Sequence, residues 1–271
     1  MLGSIFESGI FSRSGIMLGI SRRSLVFGLA SCPLCSALSR GDTPKNWNFE
    51  SVEGLDSDEP FVRKELERES TCIPDREQSP VALQNAVKAD VRSPALEWRR
   101  QACKIKNDGH TIQAVVGDGS FSKMDGRVFK LKQFHFHAPS EHTIEGKRTD
   151  MEVHFVHKGD DKDLMVVGAL VRAGKKNEAF ATVMAAAPTT KHQSRLSESF
   201  SPAEMLPGGK LKNIFRYEGS LTTNPHTEIV TWIVARASTE AAKEDIDRFK
   251  ALYPDSAREL QPLHGRLILR N

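Results

Sequence analysis

The chain is poor in cysteine and in net charge and has no long apolar run, and each shortage removes a class of protein. Of its four cysteines, Cys32 and Cys35 fall in an N-terminal leader segment, so Cys72 and Cys103 offer at most one pair. The Cys32-Pro-Leu-Cys35 spacing is of CxxC type, but no second pair exists to complete a four-cysteine zinc site. No apolar stretch reaches the length of a membrane-spanning helix. No internal repeat or low-complexity tract is present, which removes solenoids and arrays. Formal net charge is only +3. Within residues 1–40, Arg13, Arg22, Arg23 and Arg40 stand against Glu7, a balance of +3, so the remainder is near neutral. A near-neutral domain gives no reason to invoke nucleic acid or anionic membrane as partners. The composition, 39% hydrophobic and 27% charged over 271 residues, suits one sizeable globular domain behind a leader.

What the chain does have is a histidine pattern. Gln133-Phe-His-Phe-His137 alternates strictly, and a strand points every second side chain to one face. His135 and His137 therefore project together, with Phe134 and Phe136 opposite. Met151-Glu-Val-His-Phe-Val-His157 is a second β-type segment, separated from the first by the breakers Pro139, Ser140 and Gly146. Antiparallel pairing of the two strands would let His154 complete a three-imidazole face. A lone strand histidine is usually a hydrogen-bonded structural residue. Two at i, i+2 with a third on a neighbouring strand favour metal, and three histidines with an open fourth position form a catalytic zinc arrangement rather than a structural one. His157 lies an odd number of residues from His154, faces the other way, and reads as structural.

The whole stretch from Gln133 to His157 resembles the zinc-site signature of the α-class carbonic anhydrases in their bacterial form. Four further blocks follow the family in order. Gln78-Ser-Pro-Val81 resembles an early motif, and Asn107-Asp-Gly-His-Thr-Ile-Gln113 a second. Tyr217-Glu-Gly-Ser-Leu-Thr-Thr223 with Val230-Thr-Trp-Ile-Val234 resembles a third, and Gln261-Pro-Leu-His-Gly-Arg266 the closing one. The resemblance covers residues 72 to 270 in register and, more weakly, runs back to Trp47. It implies a mainly β (α+β) single domain, a central twisted and mostly antiparallel sheet of roughly ten strands with peripheral helices, and zinc at the bottom of a conical cleft.

The resemblance also implies roles. Zn2+ on His135, His137 and His154 would lower the pKa of bound water to about 7, and the zinc-bound hydroxide would convert carbon dioxide reversibly to bicarbonate and a proton. Gln133 would orient His135, and Glu152, two residues from His154 and on its face, would orient His154. Thr222 would accept a hydrogen bond from the hydroxide and donate its own proton to Glu141, because an ionised carboxylate can only accept. Thr223 would contact bicarbonate. His110, after the Asn107-Asp-Gly109 turn, would shuttle protons through water, since an unperturbed histidine titrates near 6.5. Val156, Val166, Leu221, Val230 and Trp232 would form the apolar wall beside the substrate; without the family they read as buried strand residues. His142 and Tyr217 match a supporting hydrogen-bonded pair.

Residues 1–40 are expected to be an export leader. Ser21-Arg-Arg-Ser-Leu-Val-Phe27 resembles a twin-arginine motif, followed by the apolar Leu25–Leu34 and small residues around Ser36–Ser39. Leu29-Ala-Ser-Cys32 also fits a four-residue lipoprotein cleavage pattern. Export by this route would place the mature protein in the periplasm. Residues 41–71 form a polar segment divergent from the family, with a short charged helix expected over Asp56–Ser70, and residues 72–271 the catalytic domain. Strands are expected at Thr111–Val116, Val128–His137, Glu152–His157, Met165–Val171 and Ile229–Ala235. Helices are expected at Glu178–Ala186 and at Thr239–Tyr253, the latter capped by Ser238 or Thr239.

Two departures from the family stand out. Exported members pair a cysteine at the Cys72 position with one after the Thr-Thr-Pro-Pro run; here that run is Thr222-Thr-Asn-Pro225 and the partner position is His226, so the usual disulfide cannot form. A Cys72–Cys103 bond is not expected. Partners are limited to the small-molecule substrate, carbon dioxide or bicarbonate, in a monomer or homodimer. Two rivals remain: a zinc hydrolase acting on esters, disfavoured by the narrow valine and leucine wall, and a non-catalytic binding module, disfavoured because all three histidines, Thr222 and Glu141 are present.

Overall fold

The computed structural model of the protein describes residues 76–160 and 163–271. The expected leader, the 41–71 segment with its expected helix, and Cys72 lie outside the described residues.

Short strands open the fold: β1 (Ala82–Leu83), β2 (Val87–Lys88) and β3 (Ala95–Glu97). β4 (Lys104–Asn107) and β5 (Ile112–Val115) form a hairpin, and β6 (Phe121–Met124) turns into the long β7 (Arg127–His137). β8 (Thr143–Ile144) pairs with β1 in a small separate sheet. β9 (Met151–Lys158) and β10 (Leu164–Ala173) are buried on both faces over most of their length. Their near-continuous apolar sequence, Leu164-Met-Val-Val-Gly-Ala-Leu-Val171 in β10, is what a strand in the middle of a covered sheet requires. α1 (Glu178–Ala186), β11 (Ser194–Leu196), β12 (Ile214–Gly219), β13 (Val230–Ala235), β14 (Thr239–Ala241), α2 (Lys243–Leu252) and β15 (Leu269–Arg270) complete the order.

The main sheet has 13 strands, with the path β11-β4-β5-β7-β9-β10-β13-β12-β15-β2 and with β6, β3 and β14 attached to its side. It is mixed. β10 runs parallel to β13 and β14, and β15 parallel to β2, while the other pairings are antiparallel. The expected mostly antiparallel sheet is present, and the count exceeds ten because several edge strands are only two or three residues long.

One expected element is corrected. The helix drawn from Thr239 begins at Lys243, with Ala242 at its N-cap and no side-chain cap. Thr239–Ala241 instead pair parallel with Val171–Ala173 of β10. The ladder hydrogen bonds available at the end of β10 outweigh the capping propensity of Ser238 and Thr239. α1 keeps its expected bounds, and Asn177 Oδ1 accepts from the Phe180 N–H at 3.1 Å.

The two faces of the sheet have separate cores. Phe134, Phe136, Val153 and Phe155 face the helices, where Phe136 meets Phe180 of α1 at 5.2 Å and Phe249 of α2 at 6.0 Å between ring centroids. Val156, Val166, Tyr217, Val230 and Trp232 pack on the opposite face. That opposite face carries the histidines.

Candidate zinc site

β7 and β9 pair antiparallel with His135 directly opposite His154 and His137 opposite Glu152. The register slips by one residue between Leu131 and Gln133, a bulge that leaves Gln133, His135 and His137 together on one face. One nitrogen from each of His135, His137 and His154 lies within 4.8 Å of the others. Two of the remaining nitrogens are hydrogen-bonded, and the third, His154 Nε2, is buried beside a carboxylate without a well-formed hydrogen bond. His135 Nδ1 donates to Gln133 Oε1 at 2.8 Å, and His137 Nδ1 donates to the Ser256 carbonyl at 2.9 Å. His154 Nε2 lies 3.1 Å from Glu152 Oε1. These contacts leave Nε2 of His135, Nε2 of His137 and Nδ1 of His154 to converge. His137 Nε2 is buried and has no hydrogen-bond partner. A buried nitrogen without a partner is costly unless something else satisfies it. Desolvation, then the neighbouring His137 and His154, holds His135 well below the ordinary imidazole value. Desolvation also lowers His154, against the pull of Glu152. Neutral imidazoles are the form that binds metal, and this donor set fits zinc.

Glu152 anchors the support. Its Oε2 accepts from the backbone N–H of Glu141 at 2.9 Å and of His142 at 2.8 Å; its Oε1 accepts from His142 Nδ1 at 2.7 Å. Burial alone would raise its pKa, yet His142 and His154 beside it hold it well below the carboxylate range. His142 Nε2 in turn lies 2.7 Å from the Tyr217 hydroxyl. Gly168 of β10 sits opposite His154, and a Cβ there would come 3.0 Å from Glu152 Oε1, so this strand position has no room for a side chain. His142, Glu152 and His154 also converge as a group, but their short contacts are those of this hydrogen-bonded network.

Thr222 is buried at the start of the β12–β13 connection. Glu141 Oε1 accepts from the Arg258 N–H at 2.8 Å, while its Oε2 is buried without a hydrogen-bond partner. Among the described residues, no hydrogen bond joins Thr222 to Glu141, so the link implied by the resemblance is open in this conformation.

At the mouth, His110 lies in the β4–β5 turn. Asp108 Oδ1 accepts from the His110 N–H at 2.8 Å and the Thr111 N–H at 2.7 Å, and Thr111 Oγ1 donates to the Phe136 carbonyl at 2.6 Å, tying the turn to β7. Burial raises the Asp108 pKa, against these two backbone hydrogen bonds. His110, Gln133, His135, His137, Val156, Leu221 and Thr223 line one cleft of about 50 Å³. Val166, Val230 and Trp232 do not reach its surface. They are buried behind it, with the Trp232 ring 4.8 Å from that of His154.

Sequence reading missed four contributors. Ser256 and Arg258 lie in the irregular chain after α2, where no periodicity marks them; they hold His137 and Glu141 through backbone atoms, whose positions residue type does not reveal. Gln113 lines the cleft from β5, opposite His135. His226 ties the Thr222 segment to the chain before β1, its carbonyl accepting from Gln78 Nε2 at 3.0 Å. Gln113 alone had a local signal, as a polar residue inside an apolar strand. His157 has the structural role expected of it, bonded to Ser122 and the Phe155 carbonyl on the far face. Cys103 is a buried free thiol, pushed up to about 11 by desolvation.

Comparison with known proteins agrees with this geometry. The sequence model of the eukaryotic-type carbonic anhydrase family matches residues 64–271. A carbonic anhydrase of Neisseria gonorrhoeae is 32% identical over 243 residues, covering 89% of this chain and 94% of the relative. One from Pectobacterium atrosepticum is 35% identical, covering 74% and 82%. The solved α-carbonic anhydrase of Photobacterium profundum superposes with a TM-score of 0.69 at 35% identity, covering 76% of this chain and 95% of that one. With three convergent imidazoles on a mixed sheet and a family match over most of its length, the chain belongs to the eukaryotic-type, or α-class, carbonic anhydrases.

Proposed function

We propose that this cleft hydrates carbon dioxide reversibly to bicarbonate and a proton, with zinc held by His135, His137 and His154. The observation that carries the reading is the convergence of three imidazole nitrogens within 4.8 Å on the face of the sheet that forms the cleft. Zinc bound there would act as a Lewis acid, lowering the pKa of a coordinated water to about 7 and making hydroxide available at neutral pH. Gln133, Glu152 and the Ser256 carbonyl fix the three ring orientations and tautomers. Glu141 Oε2, buried and without a hydrogen-bond partner, is the acceptor to which the Thr222 hydroxyl would turn on closing, leaving the threonine oxygen to accept from the nucleophile. Val156 and Leu221 present apolar surface to the substrate, Thr223 a polar contact to bicarbonate, and His110 carries protons between the cleft and buffer. A volume of about 50 Å³ holds roughly three to five waters. That suits a triatomic substrate.

The test is stopped-flow carbon dioxide hydration by the purified chain with bound zinc quantified, beside His154→Ala. Fast turnover with one zinc per chain, both lost in the variant, is expected. Absence of bound zinc in the parent would overturn the reading. We further propose that residues 1–40 direct export to the periplasm; cell fractionation with Arg22 and Arg23 both replaced by lysine should retain the precursor in the cytoplasm.

A further inference from the structure

His110 is carried by the short turn 108–111 between β4 and β5. On one side the turn is closed by the Asp108 N–H on the Thr111 carbonyl at 3.2 Å and tied to β7 through Thr111 Oγ1. On the other side stands Asn107, fully buried, with every polar atom engaged. Its N–H donates to the Gln193 carbonyl at 2.9 Å, and its carbonyl accepts from the His192 N–H at 2.6 Å. Its Nδ2 donates to the Pro188 carbonyl at 2.8 Å. Its Oδ1 accepts from the Gly109 N–H at 3.1 Å and from the Tyr253 hydroxyl at 2.5 Å. These directions are forced: a carbonyl only accepts and an amide N–H only donates, so the Asn107 amide has one orientation and the tyrosine must donate to it. Gly109 adopts φ +95°, which suits glycine, and its amide shares Oδ1 with the tyrosine immediately before the chain enters His110. Tyr253 is the C-cap of α2, its ring 5.8 Å from that of Phe249 and its N–H on the Phe249 carbonyl at 2.9 Å. Three residues later the Ser256 carbonyl holds His137. One stretch of chain after α2 thus meets both the histidine face and the turn of His110.

We propose that Tyr253 is a positioning residue for proton export, its hydroxyl fixing Asn107 Oδ1 and through it the Gly109 amide, so that His110 is held at the cleft mouth. The kinetic consequence rests on the proposed carbon dioxide hydration, with His110 as its proton carrier; the grip on the turn does not. Burial, then the neighbouring Asp108, pushes the phenol up to about 12, so it remains a donor across the working pH range.

Tyr253→Phe removes one oxygen and leaves the ring in its place. Proton export follows the hydration of carbon dioxide, so a displaced His110 lowers kcat and spares kcat/KM. In dilute buffer kcat should fall about fivefold, the weight of one hydrogen bond, with kcat/KM and zinc content nearly unchanged. Concentrated imidazole should restore kcat. In a His110→Ala background the same substitution should cost nothing further, because the group it positions is gone. The Gly109 amide should exchange with deuterium about fivefold faster in Tyr253→Phe than in the parent, whether or not the chain is active. The proposal is overturned if kcat in dilute buffer stays at the parent value, if kcat/KM falls with it, if imidazole leaves the loss in place, if the loss persists in the His110→Ala background, or if Gly109 exchange is unchanged. A parent chain that does not hydrate carbon dioxide would sink the functional reading instead, and Gly109 exchange would then decide by itself whether Tyr253 holds the turn.

Discussion

Glu152→Gln is nearly isosteric and should be among the most damaging single changes in the protein. The carboxylate is fully buried and surrounded by donors: two backbone N–H groups at 2.9 and 2.8 Å on Oε2, and His142 Nδ1 at 2.7 Å and His154 Nε2 at 3.1 Å around Oε1. A glutamine must turn its NH2 toward one pair or the other. Facing the backbone donors it turns two donor-to-acceptor contacts into donor-to-donor contacts, and facing His142 it turns one. Hydrogen bonds to a charged group are worth about 1.5–3 kcal/mol each, so the loss is at least about 1.5–3 kcal/mol. At about 2–4 °C per kcal/mol for a domain of this size, the melting temperature should fall by about 3–12 °C. The His154 tautomer also loses its anchor, and zinc affinity should fall about 10- to 100-fold. Thermal melts of the metal-free proteins and zinc titration against a competing chelator read the two effects separately. The pH dependence has a definite sign. The folded carboxyl sits well below its ordinary value, so the wild-type advantage is complete above the unfolded value of about 4.3 and disappears only as pH falls through the lower folded value. A variant melting within about 2 °C of the parent, with zinc affinity within about twofold, would refute the reasoning.

His157 is lowered to about 4 by desolvation, so the fold favours its neutral form. That stability, about 3 kcal/mol, is fully present above pH 6.5 and is lost as pH falls toward 4; denaturation midpoints over that range should slope less in His157→Gln. Gly168→Ala should cost about 1–3 kcal/mol, because the new Cβ meets Glu152 Oε1 at 3.0 Å with strand β10 fixed on both sides; urea titration measures it, and an unchanged midpoint would mean the site has slack. His110→Ala should lower kcat by on the order of 10²-fold in dilute buffer, with recovery in concentrated imidazole; a buffer-independent loss would remove His110 as the proton carrier.

The parts that local periodicity could settle were readable without coordinates. The alternation of Gln133–His137 places two histidines on one face whatever they pack against, and Met165–Val171 reads as a strand. Helix α1 was readable over Glu178–Ala186 from its own residues, and the structure adds the Asn177 cap. Thr239 went the other way. Its neighbourhood carries a helix-start pattern, and only the parallel edge offered by β10 turns Thr239–Ala241 into a strand.

Residue types and their spacing by themselves put His135 and His137 on one strand face and offered His154 as the third imidazole, while the family resemblance pointed to Gln133, Glu152 and the turn that carries His110. Tertiary structure alone decided how they are held. The bulge after Leu131 sets His135 opposite His154, a matter of pairing between strands. The Ser256 carbonyl on His137 and the Arg258 N–H on Glu141 come from backbone more than a hundred residues away. Every residue but proline carries the same backbone N–H and carbonyl, so no side-chain pattern can announce which of them will face the site; only the folded path of the chain selects them.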